Sequence, residues 1–181
     1  MGNSISSVTV APTAAGCVIT VSPRGTVRES RVVNDVAART LKGDDKAAVV
    51  IDVSSCTYVD STFLGTLMDL FCVAGGTGGG GTGGRFAIAA SPEHRKKLLG
   101  VARLDTFIPG VDTAPTAVGS AIVVPTPDAS PREILRHIME CHQKLAEMDC
   151  PMRPVFARIA TQMQAEFEQS PDWADPHSSR G

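Results

Sequence analysis

The stretch Ala47–Ala74, AAVVIDVSSCTYVDSTFLGTLMDLFCVA, decides the fold. It opens on Ala47-Ala48-Val49-Val50-Ile51, an apolar run too short for a helix and rich in β-branched types. Such a run reads as a strand buried on both faces. Asp52 ends it, and a mixed polar loop follows. Asp60-Ser61-Thr62 then precedes Phe63, Leu64, Leu67, Met68, Leu70 and Phe71, apolar at helical spacing. Asp60 suits the N-cap, because its carboxylate accepts from the free amides of the first turn. Ser61 is therefore expected just inside a helix, at the carboxyl edge of a buried strand. There its hydroxyl would stand exposed, beside unpaired backbone donors and the positive end of the helix dipole.

That position suits a hydroxyl that carries a phosphate. A phosphoryl group adds roughly −1.5 to −2 charges, and a helix N-terminus accommodates them. Asp52 and Asp60 would oppose the new charge, so the modification would change a docking surface without unfolding the chain. The same spacing also describes ordinary first-turn residues with no chemistry.

Upstream, Val8-Thr9-Val10 and Cys17 to Val21 read as a first β-hairpin, ended at Pro23-Arg24-Gly25. Val32, Val33, Val36, Ala37, Thr40 and Leu41 fall at helical spacing, which predicts an amphipathic helix over 28–42 stopped at Gly43. Strand, helix, strand in this order predicts a parallel crossover and an α/β sheet.

Downstream, residues 75–84 are almost all glycine. A formal G-x-G-x-x-G lies within them, but it follows a helix and precedes a strand, the reverse of a dinucleotide fingerprint. It also lacks the Lys-Ser/Thr of a P-loop. A flexible loop without a ligand is expected. Phe86 to Ala90 reads as a further strand, Ser91-Pro92-Glu93 as a helix start, and Thr106-Phe107-Ile108 as a last short strand closed by Pro109-Gly110. Residues 1–118 then form one domain. Residues 119–130 read as a linker with an extended Ile122-Val123-Val124. Ser130-Pro131-Arg132-Glu133 opens a helix whose Ile134, Leu135, Ile138, Cys141, His142 and Leu145 share a face. A second helix over about 153–169 completes a C-terminal αα-hairpin, 131–169. The tail 170–181 reads as disordered.

Composition narrows the function. Hydrophobic residues make up 43% and charged residues 20% of the 181, as in a globular protein. A net charge of −2 and 4% aromatics offer little to nucleic acid or an anionic membrane. No apolar run reaches the ~20 residues of a membrane span. The five scattered cysteines are expected as reduced, mostly buried thiols in a cytoplasmic protein. Met1-Gly2-Asn3-Ser4-Ile5-Ser6 formally matches a myristoylation signal, which in a bacterial host is chance. His137, Cys141, His142 and Cys150 match no zinc spacing, so packing is expected and no metal or cofactor. No enzyme is expected either, since no histidine and nucleophile stand at a motif spacing.

Val49-Val50-Ile51-Asp52-Val53-Ser54 followed by Tyr58-Val59-Asp60-Ser61-Thr62-Phe63-Leu64-Gly65 resembles the signature of STAS domains, and more narrowly of bacterial anti-sigma-factor antagonists. In that family the serine directly after the aspartate is phosphorylated by a serine kinase that is itself the anti-sigma factor. The resemblance carries this role to Ser61, with Asp52, Asp60, Thr62, Phe63 and Gly65 as the switch and docking surface. Phe63 stands where the family has glycine, and Arg28 where it has an acid. The flanks, Val18 to Val27 and Arg85 to Ile108, are similar in a more general way. The resemblance implies a STAS-like mixed sheet covered by helices and a transcription regulator that binds the kinase when Ser61 is unphosphorylated. It implies neither direct nucleic-acid nor membrane contact. The alternative is a non-switching adaptor that docks a transporter ATPase or a second copy of itself, as a homodimer, through the C-terminal hairpin.

Overall fold

The computed structural model describes residues 6–76 and 84–169. Residues 1–5 of the myristoylation match, most of the Gly-rich loop and the tail from 170 lie outside them. The chain begins with an antiparallel pair, β1 (Ser7–Thr13) and β2 (Gly16–Ser22), in the register Val8 to Val21 and Val10 to Ile19. A two-residue strand, β3 (Arg24–Gly25), leads into α1 (Val27–Gly43), whose start is held by the Glu29 carboxylate. That carboxylate accepts from both the amide and the hydroxyl of Thr26, at 3.0 and 2.6 Å. The crossover returns as β4 (Ala48–Asp52), parallel to β2, as the strand-helix-strand order predicts.

β5 (Tyr58–Val59) pairs with β3 and is followed at once by α2 (Ser61–Val73). β6 (Phe86–Ala89) adds to β4 in parallel, and α3 (Pro92–Leu99) starts from a Ser91 cap. α4 (Leu104–Phe107) and β7 (Gly110–Val111) complete one side of the sheet. β8 (Ile122–Val124) runs antiparallel to β1 at the opposite edge, inside the stretch expected as a linker. The strand order is β7-β6-β4-β2-β1-β8, a mixed six-stranded sheet, so the fold class is α/β. α5 (Pro131–Ala146) and α6 (Arg153–Gln169) follow. Among the described residues no helix is long and apolar enough to cross a membrane.

Two expectations are corrected. β4 is not buried on both faces: Val49 and Ile51 are fully buried, whereas Ala48, Val50 and Asp52 on the other face are only half-buried. The helices α1 and α2 lie against the first face, with Val8, Ile19, Val21, Val49, Ile51, Phe86 and Ile88 in the shared core. In place of the strand expected at Thr106–Ile108, Thr106 and Phe107 end α4, with Ile108 as its C-cap. Leu104 and Ile108, one turn apart, both point into the core, and the Ile108 amide donates to the Leu104 carbonyl at 2.9 Å. A buried pair at that spacing is the signature of a helical turn, and the strand follows two residues later.

The core does not stop at residue 118. Leu145, Met148, Cys150 and Phe156 belong to the same buried cluster as Phe63, Leu67 and Val33. α5 and α6 run antiparallel. Arg132 and Arg136, early in α5, lie over the ring of Phe167 near the end of α6, at 4.7 and 5.4 Å from its centroid. Gln143 donates to Gln164 at 3.5 Å, and His142 meets the Phe156 ring at a centroid distance of 6.2 Å.

Candidate functional site

α2 begins at Ser61, with Asp60 as its N-cap. The Asp60 carboxylate serves two helices. Oδ1 accepts from the Phe63 amide at 2.8 Å, within α2, and Oδ2 accepts from the Val27 amide at 3.0 Å, the first residue of α1. The Asp60 amide in turn donates to the Gly25 carbonyl at 3.0 Å. The chain that enters α2 is thereby tied to the chain that enters α1, and both helix N-termini face one half-buried carboxylate. Such pairing satisfies donors that a helix start otherwise leaves free.

Ser61 is half-buried, and its hydroxyl is engaged rather than free. Oγ lies 2.9 Å from Nε2 of His142 on α5. The other ring nitrogen, Nδ1, is 2.8 Å from the Ile138 carbonyl, which can only accept. With one proton on the ring, Nδ1 carries it, Nε2 accepts, and Ser61 donates. His142 is only 4% exposed. The histidine and the serine are 81 positions apart, so no local motif could announce the pair. The apolar stripe of α5 did include His142, which marks the face but not its partner.

The rest of the expected switch surface lies at several depths. Asp52 is half-buried and accepts from the Ser54 amide at 2.9 Å. Thr62 is buried, and its carbonyl accepts from the Thr66 hydroxyl at 3.1 Å. Phe63 is fully buried beneath Gly25: a Cβ on residue 25 would lie 2.9 Å from its ring. The phenylalanine in the glycine's usual place is thus matched by a glycine on the strand above it, and neither Thr62 nor Phe63 presents its side chain to solvent. Gly65 faces α5. A Cβ there would stand 2.6 Å from Cβ and 2.7 Å from Cα of Cys141, distances real side chains essentially never show.

α5 is thus seated on α2 and α1 through small and polar groups. The Thr66 hydroxyl and the Cys141 thiol are 3.3 Å apart, and burial pushes that thiol's pKa up to about 12. His137 reaches α1, with Nε2 2.8 Å from Oγ of Ser30, itself fully buried. Ser30 donates to the Val27 carbonyl at 3.0 Å, so it accepts from Nε2–H of His137. Each histidine binds a different serine on a different helix. Among the described residues no three histidine, cysteine or acidic side chains gather as metal ligands. All five cysteines are free thiols, four of them buried. Beside the seat, a cleft of about 290 Å³ is lined by Asn34, Asp69, His137, Glu140, Lys144 and Glu147.

Burial, with the Arg31 charge adding to it, pushes the His137 pKa from 6.5 down to about 4. The sign follows directly. A histidine depressed in the folded state supports folding fully above 6.5, and that support is lost as pH falls from 6.5 toward 4. The shift, converted at about 1.4 kcal/mol per unit and discounted for partial exposure, gives about 2 kcal/mol. Urea unfolding at pH 7 and pH 4.5 should show the wild-type chain losing about that much more than His137→Gln; equal losses would count against the assignment.

No family model matches the chain, and no curated protein matches it.

Proposed function

We propose that the chain is a phosphorylation-switched interaction domain, an anti-sigma-factor antagonist, with Ser61 as the phosphoacceptor. The observation that carries the reading is the placement of Ser61 as the first residue of α2, directly after β5 and an Asp60 cap. A phosphate on that residue meets amide donors and the helix dipole. The β1–β2 antiparallel pair followed by parallel β4, β6 and β7 supports a STAS-like sheet, and α5 with α6 supports a C-terminal hairpin. In this reading the unphosphorylated cytoplasmic domain binds a serine-kinase anti-sigma factor and frees a sigma factor, and the phosphorylated domain lets go. In this reading the domain acts by binding rather than as an enzyme. His142 Nδ1 rests on a backbone carbonyl rather than a carboxylate, and the cleft of about 290 Å³ is lined by neither Ser61 nor His142.

One observation favours the second reading, a non-switching adaptor: the Ser61 hydroxyl is already bonded to His142. A single experiment separates the two. The full chain is incubated with the serine-kinase anti-sigma factors of the same genome and ATP, and the phosphate is mapped by mass spectrometry. The switch predicts stoichiometric incorporation at Ser61, reduced at least 50-fold in Ser61→Ala, and release of the kinase on phosphorylation. Retention of the kinase by the phosphorylated chain, or incorporation that survives Ser61→Ala, would favour the adaptor.

A further inference from the structure

We infer that docking of α5 and a phosphate on Ser61 exclude one another, so that α5 and α6 form a cover that leaves the α1–α2 face when Ser61 is modified. The inference rests on Ser61 being the acceptor and concerns what the modification does to this chain.

The geometry at Ser61 leaves no room for both. Oγ is 2.9 Å from Nε2 of a histidine that is 4% exposed. A phosphoryl group bonded to Oγ must stand between those two atoms or turn away from them. Standing between them, it pushes α5 outward by about the length of a P–O bond. Moving α5 outward breaks tight packing nearby. One turn along α2, Gly65 already touches the Cys141 backbone with no space for even a methyl group, and Thr66 meets Cys141 at 3.3 Å. Two rigid helices in contact at that point separate as bodies rather than bend.

Turning away still weakens the docked state. With one proton on the ring, Nε2 of His142 would then be a buried acceptor without its donor. Any arrangement that seats the phosphate beside His142 widens the α2–α5 spacing and so breaks the close contacts of Gly65 and Thr66 with Cys141. The phosphate also adds charge beside Asp60, whose two carboxylate oxygens are already committed to Phe63 and Val27.

The covalent step is ordinary phosphoryl transfer from a nucleoside triphosphate. The Oγ–P bond forms as the bridging P–O bond of the triphosphate breaks, the diphosphate leaves, and the kinase's base takes the proton that Ser61 now donates to Nε2. Linkage makes the exclusion reciprocal: if phosphate weakens the docking of α5, docked α5 disfavours the phosphate to the same degree. The released face carries Ser30, Ser61, Gly65 and Thr66, the residues that α5 now contacts.

The test needs no kinase. Phosphoserine is installed at position 61 during translation of the full chain, and N-ethylmaleimide labelling is followed cysteine by cysteine by mass spectrometry. Cys141 reports the α5 seat; Cys17 and Cys56, buried in the main core, report global unfolding. The expected result is Cys141 labelling at least ten-fold faster in the phosphoserine chain, with Cys17 and Cys56 unchanged and Ser61→Ala, which orphans Nε2 of His142 without adding bulk or charge, falling between phosphoserine and wild type. Unchanged Cys141 labelling would overturn the inference, as would equal acceleration at Cys17 and Cys56, or Ser61→Ala matching phosphoserine. A chain that passes this test but is phosphorylated by no kinase would instead sink the switch reading and leave the exclusion standing.

Discussion

Gly65→Ala lowers the stability of the chain by about 2 kcal/mol and its Tm by about 5–8 °C. The sign is the informative part. In an exposed helix interior, replacing glycine by alanine stabilises by about 1 kcal/mol, because alanine loses less backbone freedom on folding. Here the new methyl group would meet the Cβ and Cα of Cys141 at 2.6 and 2.7 Å. Those atoms sit near or on the backbone of α5 and cannot swing aside as the end of a flexible chain would. Overpacking of this kind costs about 1–3 kcal/mol or more and outweighs the propensity gain. Gly65→Val, larger and β-branched, costs about 4 kcal/mol. Urea titration measures the totals, and hydrogen exchange should place the loss in α5 and α6 while the β2 and β4 amides stay protected. A rise in Tm for Gly65→Ala would mean that α5 does not sit on α2.

The same contact shows what local sequence could and could not carry. The β4–α2 unit was legible because each of its signals is short-range: five apolar residues, a polar loop, an aspartate cap and apolar positions three and four apart. α1 and the start of α5 were legible for the same reason, through period and capping residues. The helix at Leu104–Phe107 was missed because one turn is too short to display a period, and Thr106-Phe107-Ile108 carries β-forming residues. The strand that follows is Gly110–Val111, two residues with a glycine, held by its neighbour β6 and not by propensity. β8 pairs with β1 across more than a hundred residues, and nothing in Ile122-Val123-Val124 names its partner.

The site divides in the same way. Asp60 and Ser61 were legible as a helix start. That the Ser61 hydroxyl meets His142, and that Gly65 is where α5 crosses, depends on packing between segments about 75–80 positions apart. The burial of Phe63 depends on Gly25, some forty residues earlier. Each of these is a property of a pair, and one chain read alone displays only its single members.

Asp60→Ala is expected to cost about 3 kcal/mol, more than loss of an ordinary helix cap. Removing an N-cap acceptor costs about 1 kcal/mol. Asp60 also holds the first amide of α1 through Oδ2, so its loss leaves the Val27 donor without its partner in a partly buried place, at about 1–3 kcal/mol. Three substitutions separate the two contributions. Asp60→Asn keeps one oxygen for the Phe63 amide but presents an amide group to Val27, so it should recover only about 1 kcal/mol relative to alanine. Asp60→Ser, a good cap with a single short acceptor, should recover a similar amount. Asp60→Glu retains both oxygens on a longer stem that no longer fits between the helix ends, and should fall between alanine and wild type. If alanine costs no more than 1 kcal/mol, the carboxylate caps α2 alone and the bridge to α1 carries no energy. If the full cost is found, the residue that positions the Ser61 hydroxyl is also the one that joins α1 to α2, and α5 docks on a face whose shape that single carboxylate sets.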